Sequence, residues 1–186
     1  RAETLSERRE ARKESMTDRI NEARELVSSS DDCWLVWCDY NSESESLHNA
    51  ILDSVEVRGS DSPEHKAKTA IDFANNKIKA LVSKPSIYGF GMNFQNCHEI
   101  IFCGLSDSYE QFYQAVRRCW RYGQTHAVNV HIDVAGKSHM MGKIDQHDLP
   151  RQMSALSLID LEAQLAKAEK ARLHKGRGLL SGGVPQ

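Results

Sequence analysis

A glutamine and two arginines at helical spacing are the residues of this sequence best suited to chemistry on a negatively charged group. Gln114, Arg118 and Arg121 lie in residues 114–124, Gln-Ala-Val-Arg-Arg-Cys-Trp-Arg-Tyr-Gly-Gln. On a helical wheel of about 100° per residue centred on Tyr109, these three fall at roughly 120–180°, and the apolar residues fall within about 80° of the centre. Those apolar residues are Phe112, Tyr113, Val116, Cys119 and Trp120. The pattern predicts a helix that is anchored on one side and projects charged guanidinium groups from the other, although the solvated face of any amphipathic helix looks the same.

The complete string, Gln-x-x-x-Arg-x-x-Arg-x-Gly-Gln, resembles motif VI of superfamily-two helicases and translocases, in the form used by the Swi/Snf-type branch. In that family the motif closes the ATP site from the second RecA-like lobe, and its last arginine acts as an arginine finger. The resemblance implies catalytic roles for Arg121 and, beside it, Arg118, with Gln114 at the bound ATP. A planar charged guanidinium suits phosphoryl transfer because the reaction spreads negative charge over oxygens. Such a finger contributes about three to five powers of ten in rate.

A second string contains two glycines and an asparagine at alternate positions, Gly89, Gly91 and Asn93. Alone, this spacing could simply permit a tight turn. It also resembles motif V of the same family, and it precedes the motif VI-like string by about twenty residues with one predicted strand between them. The resemblance implies that the three residues shape a loop linking the ATP site to nucleic acid, where backbone amides can hold phosphate oxygens.

Four further residues are candidates for contacts with nucleic-acid phosphates. Lys84 and Ser86 stand at the start of the motif V-like string. The segment Arg58-Gly59-Ser60 resembles a Gly-Ser turn of the same family, in which the backbone of Gly59 and the hydroxyl of Ser60 would meet a phosphate. A simple turn explains Gly59 and Ser60 equally well.

Strand and helix patterns alternate along the part of the chain that carries these strings. Short apolar runs bounded by turn residues predict buried strands. The predicted strands are 33–37, 55–57, 78–82, 99–103 and 127–132, and the predicted helices are 2–28, 43–52, 63–75 and one that begins after Ser108. Ser62 with Pro63, and Ser108 with Gln111, supply capping signals. Apolar strands separated by helices favour a parallel sheet whose functional groups gather at the carboxyl ends of its strands.

The predicted fold class is α/β, with a RecA-like parallel sheet of five or six strands flanked by helices and with helical extensions at both ends. Residues 133–150, which include Gly136 and Gly142, are predicted to be irregular. The predicted organisation is a charged helical lead-in (1–32), a helicase C-terminal lobe (33–135), a helical extension (136–175) and a disordered tail (176–186).

Composition restricts the function further. The 186 residues include 24 basic and 26 acidic residues, a net charge of −2, so bulk positive charge cannot provide nucleic-acid binding. No apolar run approaches the roughly 18–20 residues of a membrane span, and no signal peptide is visible. We therefore expect a cytoplasmic protein that does not bind membranes. The five cysteines are predicted to be buried free thiols, and the eight histidines show no metal-ligand spacing, so no metal site is predicted.

Two motifs of a complete helicase motor are absent from this sequence. It has no Gly-x-x-x-x-Gly-Lys-Ser/Thr phosphate loop and no acidic box of the Asp-Glu-x-His or Asp-Glu-Ala-Asp type. The resemblance covers about residues 33–132 and is closest to Swi/Snf-like helicases of phage genomes, which would place the protein in a bacterial or phage-infected cell. It implies the second lobe of an ATP-dependent DNA helicase or translocase, whose N-terminal RecA-like lobe holds the Mg²⁺ of ATP.

The chain alone should then be inactive. A stand-alone nucleic-acid-binding or regulatory module with a degenerate helicase fold is one alternative. An unrelated nucleotide-binding α/β enzyme, such as a transferase, is another, and it would need a phosphate loop of its own.

Overall fold

A computed structural model describes residues 13–88, 92–104, 108–134 and 137–144. Within these ranges the elements follow one another as α1 (Met16–Ser28), β1 (Trp34–Trp37), α2 (Asn41–Ala50), β2 (Ser54–Val57), α3 (Pro63–Ala74), β3 (Ala80–Ser83), α4 (Pro85–Tyr88), β4 (Glu99–Phe102), α5 (Tyr109–Val116), β5 (Val128–Val134) and β6 (Lys137–Ile144). The predicted alternation of strands and helices is confirmed.

The strands form one six-stranded sheet in the order β2-β3-β1-β4-β5-β6. β1 to β5 are parallel, and β6 pairs antiparallel with β5 at one edge. β1 lies inside the sheet, where Trp34 is opposite Ala80 of β3 on one side and Glu99 of β4 on the other. Five parallel strands joined through helices confirm the predicted RecA-like α/β class.

The edge strand shows where the sequence prediction is wrong. Residues 133–150 are predicted to be irregular, whereas β5 extends to Val134 and β6 occupies Lys137–Ile144. Gly136, Gly142 and the polar residues of this stretch suggest a loop because glycine and most polar residues have weak strand preferences. Pairing with the open edge of β5 supplies the backbone hydrogen bonds that override this local preference.

The sheet therefore continues past the predicted lobe boundary at residue 135, into the stretch 136–175 that sequence analysis assigns to a helical extension. The rest of that stretch, from residue 145, and the predicted tail at 176–186 lie outside the described residues.

Alternate residues of β1 face two apolar clusters on opposite sides of the sheet. Leu35 and Trp37 join the cluster that packs α3, α4 and α5, through Phe73, Tyr88 and Val116. Trp34 and Val36 join the cluster that packs α1 and α2, through Ile20, Val27 and Leu47. Because fully burying one such side chain contributes about 1.5–3 kcal/mol, α1 is an integral part of this core.

A buried ion pair ties α1 to the turns that follow β1 and β4. Arg19 Nη2 lies 2.8 Å from Glu43 Oε1, and the two side chains are 5% and 1% exposed. Glu43 Oε2 accepts hydrogen bonds from the backbone N–H groups of Asp39 and Tyr40, at 3.0 and 3.1 Å. Arg19 also donates to the carbonyl of Cys103. The pair thus fixes the path of the chain as it leaves the two central strands.

The predicted caps and free thiols are confirmed. Ser62 Oγ accepts a hydrogen bond from His65 N at 3.2 Å, and Ser108 Oγ accepts one from Gln111 N at 3.3 Å. All five cysteines are free, and every one except Cys33 is buried. Within the described ranges, no helix has both the length and the apolar character needed to cross a bilayer.

Candidate functional site

The two candidate strings meet in space. The carbonyl of Met92, between α4 and β4, accepts a hydrogen bond from Arg118 Nη1 at 3.1 Å and from Arg121 Nη1 at 3.2 Å. A backbone hydrogen bond from Phe94 N to the carbonyl of Arg118, at 2.8 Å, adds a third link. Residues 117–124, named here the arginine turn, therefore pack directly against the end of the motif V-like string.

The helical wheel places Arg118 wrongly. α5 ends at Val116, so the wheel does not apply to the arginine turn. Arg118 is only 6% exposed instead of projecting into solvent. Its Nε donates to the carbonyl of Gln114 at 2.9 Å, and its Nη2 donates to Gln114 Oε1 at 3.1 Å. Carbonyls at a helix C-terminus lack intrahelical partners, and the guanidinium folds back to satisfy one of them.

Arg121, by contrast, is exposed as predicted. Its described hydrogen bond is the one to the Met92 carbonyl. Arg117 lies on the same turn, with its guanidinium carbon 4.5 Å from the ring centroid of Trp120. This cation–π contact holds Arg117 against the apolar side of the turn. The three arginines therefore differ in environment: one is buried, one is stacked on an aromatic ring and one faces solvent.

Positive charge accumulates at the turn. Burial lowers the pKa of Arg118, and repulsion from Arg121 and then Arg117 lowers it further. The guanidinium stays charged at neutral pH, because its usual pKa lies above about 12. The described acceptors of Arg118 and Arg121 are uncharged oxygens of Met92 and Gln114. The arrangement therefore favours binding of an anion.

Gln124 anchors the arginine turn, and sequence reasoning did not single it out. Its side chain is 5% exposed, and its Nε2 donates to the carbonyls of Gln95, Cys97 and Cys119 at 2.9, 3.0 and 3.3 Å. Its Oε1 accepts a hydrogen bond from the backbone of His126 at 3.0 Å. The signal was present in the sequence, because the motif VI-like string ends in Gly-Gln.

Gly123 supplies the backbone conformation that brings Gln124 into place. Its φ is +96°, a region that L-residues with a Cβ rarely adopt. A Cβ at this position would also lie 3.3 Å from Gln95 Oε1. The positive φ is therefore what favours glycine here, because the exposed side chain of Gln95 could move away from a Cβ.

Of the three predicted loop residues, only Asn93 lies within the described part of the chain; Gly89 and Gly91 lie outside it. Asn93 is exposed, and its Oδ1 accepts a hydrogen bond from Gln95 N at 3.2 Å. That contact closes a local turn beside Met92. Asn93 thus shapes the segment whose carbonyl the two arginines share.

The predicted phosphate-contacting residues lie at the carboxyl ends of two adjacent strands. Gly59 and Ser60 follow β2, and Lys84 and Ser86 follow β3. Gly59, Ser60 and Ser86 are exposed. A hydrogen bond from Ser83 Oγ to the carbonyl of Val57, at 2.9 Å, ties the two strand ends together. The fold therefore brings the four residues to one edge of the sheet, as the sequence predicts for parallel strands.

Lys66 is a further charged residue at this edge, and sequence analysis missed it. Its Nζ donates to the carbonyl of Gly59 at 2.6 Å. Its own carbonyl accepts a hydrogen bond from the hydroxyl of Tyr88 at 2.7 Å. Because residue 66 lies within α3, its proximity to the turn after β2 follows from packing, which the linear sequence does not show.

The described residues that could bind a metal ion lie away from both candidate strings. In the described ranges, one donor atom each from Asp32, His98 and Glu99 lies within 4.8 Å of the others. These residues stand at the amino ends of β1 and β4 and belong to neither candidate string. The sequence prediction of no metal ligands rested on spacing alone, and Asp32 is far from the other two along the chain.

Comparison with known sequences identifies a family. Residues 18–123, more than half of the 186 residues, match the helicase conserved C-terminal domain. Over 63 residues the chain is 38% identical to R290 of Acanthamoeba polyphaga mimivirus, whose name describes it as an ATP-dependent RNA helicase. That alignment covers 34% of this chain and only 11% of R290.

Two solved structures have a similar fold. The C-terminal part of the Fun30 ATPase domain superposes with a TM-score of 0.57 at 18% identity, over 62% of this chain and 40% of that chain. The C-terminal domain of the DEAD-box protein Dbp5 superposes with a TM-score of 0.53 at 12% identity, over 62% of this chain and 68% of that chain. At these identities the likeness shows a shared fold.

Proposed function

This chain belongs to the helicase conserved C-terminal domain family, and on that premise we propose that it is the second RecA-like lobe of an ATP-dependent, Swi/Snf-type DNA helicase or translocase. In the complete enzyme the lobe supplies the arginine finger and part of the nucleic-acid track. The parallel sheet and its fold likeness to the C-terminal part of the Fun30 ATPase domain support the proposal.

The observation that carries the proposal is that the guanidinium groups of Arg118 and Arg121 both donate to one neutral carbonyl, that of Met92. Arg118 is buried and makes three hydrogen bonds, so it is a fixed positive charge. Arg121 is exposed and can exchange the carbonyl of Met92 for a phosphate oxygen. The exchange is favourable because a guanidinium group binds an ionised phosphate oxygen more strongly than it binds a neutral carbonyl oxygen. We assign the γ-phosphate of ATP to Arg121, with Arg118 beside it.

ATP with Mg²⁺ is the cofactor that this role requires. The positive charge at the arginine turn, with its uncharged acceptors, fits a triphosphate tail. Bound ATP would also meet the glutamine of α5 and the glycine-rich loop, namely Gln114, Gly89, Gly91 and Asn93. Mg²⁺ neutralises charge on the phosphates during transfer, and the N-terminal lobe would hold it. This chain would position Arg121 at the phosphate and hold the charged Arg118 next to it.

The nucleic-acid track would run along the carboxyl ends of β2 and β3. Lys84 contributes a flexible ammonium group, and Ser60 and Ser86 contribute hydroxyl groups that reach solvent. The backbone at Gly59 is open to close approach, because no atom lies within 4 Å of where its Cβ would be. Such contacts bind the sugar-phosphate backbone without reading sequence.

Coupling between the two sites would pass through Met92. When ATP draws the two lobes together, Arg121 leaves the Met92 carbonyl for the phosphate, and the segment around Asn93 loses one of its restraints. Along the sequence, that segment follows Gly89 and Gly91 and, before them, Lys84 of the track. Hydrolysis would release the phosphate and restore the hydrogen bond. A cycle of closing and opening of this kind moves a motor along a strand.

The partners implied are the N-terminal RecA-like lobe of the same protein and DNA, with no membrane. The proposed setting is the cytoplasm of a bacterial or phage-infected cell. A second candidate function is a stand-alone nucleic-acid-binding or regulatory module. Such a module would use the exposed residues after β2 and β3, Gly59, Ser60 and Ser86, without hydrolysing ATP.

ATP hydrolysis separates these candidates. We would compare the 186-residue chain with the complete protein that contains it, adding single-stranded DNA, double-stranded DNA or RNA. The proposal predicts hydrolysis by the complete protein only, stimulated most by DNA. Binding without hydrolysis in both proteins would support the regulatory module. Stronger stimulation by RNA would overturn the assignment of DNA, a real alternative because the similar mimivirus protein is named an RNA helicase.

A further inference from the structure

Two carboxylates and an imidazole converge at the amino ends of β1 and β4. His98 Nε2 lies 3.7 Å from Asp32 Oδ1 and 3.9 Å from Glu99 Oε1. One donor atom from each residue lies within 4.8 Å of the other two. We propose that these three residues bind a divalent transition-metal cation, Zn²⁺ or Mn²⁺, which links the start of β1 to the start of β4. The proposal is independent of the helicase assignment.

The separations suit a shared cation. An ion equidistant from three atoms that are 3.7 to 4.8 Å apart lies about 2.2–2.5 Å from each. Metal–nitrogen and metal–oxygen bonds of about 2.0–2.2 Å then require only a small rotation of Asp32, whose side chain is 44% exposed and free to turn. Three protein ligands leave further coordination positions for water.

The donor types narrow the choice of cation. Imidazole is a preferred ligand of Zn²⁺ and a poor one for Mg²⁺, which prefers oxygen ligands and keeps its own water molecules. Carboxylates are accepted by both Zn²⁺ and Mn²⁺. A site with one imidazole and two carboxylates should therefore select these cations over Mg²⁺.

Neighbouring side chains hold the two less exposed ligands in place. Glu99, 11% exposed at its side chain, accepts a hydrogen bond at Oε2 from His131 Nε2 at 3.1 Å and another at Oε1 from Asn129 Nδ2. The ring of His98 stacks on that of His126, with centroids 4.9 Å apart and planes inclined by 20°. Contacts of this kind around the ligands orient them and raise the affinity of metal sites.

The charge of the cluster favours a cation. Asp32 and Glu99 supply two acidic groups, and His131 contacts the second oxygen of Glu99, Oε2, which leaves Oε1 on the side of His98. A divalent cation balances both and leaves the imidazole neutral, which is the form that binds metals. Lys79 lines the same cleft, and its described ion pair is with Asp31, at 3.8 Å. A cleft of about 760 Å³, lined in part by Asp32 and His98, gives an ion a path from solvent.

Asp31 and Asp32 provide a matched pair of variants for the test. Asp32→Asn removes one proposed ligand, and Asp31→Asn removes the same charge from the adjacent residue. The side chain of Asp32 is 44% exposed and that of Asp31 is 112% exposed, so neither variant should disturb folding. Circular dichroism of both variants would establish that they are folded.

The full 186-residue chain, stripped with a chelator, would be titrated with Zn²⁺, Mn²⁺ and Mg²⁺ by calorimetry. We expect one Zn²⁺ or Mn²⁺ per chain and no binding of Mg²⁺. In Asp32→Asn we expect the affinity for Zn²⁺ and Mn²⁺ to fall by about 10–100-fold. Asp31→Asn should keep the affinity of the unaltered chain. Zn²⁺ at a concentration that saturates the unaltered chain should raise the melting temperature of that chain and of Asp31→Asn, and should raise that of Asp32→Asn less.

Three results would overturn the proposal. One is the absence of saturable binding. Another is an equal loss of affinity in both variants, which would show a general effect of surface charge. The third is binding that Asp32→Asn leaves unchanged, which would place the ion on other histidines of the chain.

Discussion

Replacement of Gln124 by alanine should loosen the arginine turn, because this side chain is its main polar anchor. The carboxamide is 5% exposed. Its two N–H hydrogens serve three carbonyls, of Gln95, Cys97 and Cys119, and its oxygen accepts from the backbone of His126. Alanine would remove all of these partners and leave a gap where the carboxamide had been.

The cost follows from the number of groups left without a partner. Two donated bonds and one accepted bond, at a net loss of about 0.5–1.5 kcal/mol each, give about 1.5–4.5 kcal/mol. Carbonyls that stay buried without a donor would place the value at the upper end of this range. For a chain of this size, about 1.5–4.5 kcal/mol corresponds to a fall in melting temperature of about 3–18 °C.

Urea denaturation of the 186-residue chain measures this cost directly. Gln95→Ala is the matched control, because Gln95 is an exposed glutamine on the segment that Gln124 contacts, and it uses only its backbone carbonyl in that contact. We expect the control to stay within about 0.5 kcal/mol of the unaltered chain. If Gln124→Ala unfolded at the same urea concentration as Gln95→Ala, the anchoring role of Gln124 would be refuted.

Three further predictions follow from the packing, one of them with its own control substitution. Gly104→Ala should lower the free energy of unfolding by about 1–3 kcal/mol, because the added Cβ would lie 2.6 Å from Glu43 Oε2. Gly59→Ala is its control in urea denaturation: no atom lies within 4 Å of the added Cβ, so the change should stay within about 0.5 kcal/mol. Trp120→Ala should cost about 1.5–3 kcal/mol in the same assay, less than the roughly 3–5 of a fully buried Trp, because the ring is only half-buried. Burial raises the pKa of Cys38 to about 12, so this thiol should react with iodoacetamide at pH 8 only after urea unfolds the chain. Mass spectrometry would measure the labelling, and fast labelling of Cys38 in the folded chain would contradict its burial.

Much of the fold could be predicted because its signals are local. The central strands β1, β3 and β4 are short, largely apolar runs between turn residues, as burial on both faces of a parallel sheet requires. Ser62 and Ser108, the residues before α3 and α5, accept backbone hydrogen bonds as capping side chains do, so they marked the helix starts. The order and spacing of the two candidate strings agreed with the family resemblance, and the fold brings the strings into contact at Met92.

The remaining features depend on contacts between distant residues. The wheel could not show that α5 ends at Val116, and therefore it left Arg118 on an exposed face. Strand β6 forms because β5 offers an open edge, which no local pattern reports. Lys66 and Gln124 gain their partners only when helices and turns pack together. The cluster at Asp32 unites the starts of two strands that are adjacent in the sheet but far apart in sequence.

The most direct test of the proposed function is the turnover of ATP by the complete protein with Arg121 replaced by alanine. Arg117→Ala is the matched control, because it removes an equal charge from the same turn, where Arg117 stacks on Trp120. The account predicts that Arg121→Ala lowers kcat by about three to five powers of ten, while the control keeps at least about a tenth of the activity. Melting temperature and DNA binding should be unchanged in Arg121→Ala. A folded Arg121→Ala enzyme that hydrolyses ATP within tenfold of the unaltered protein would contradict the account.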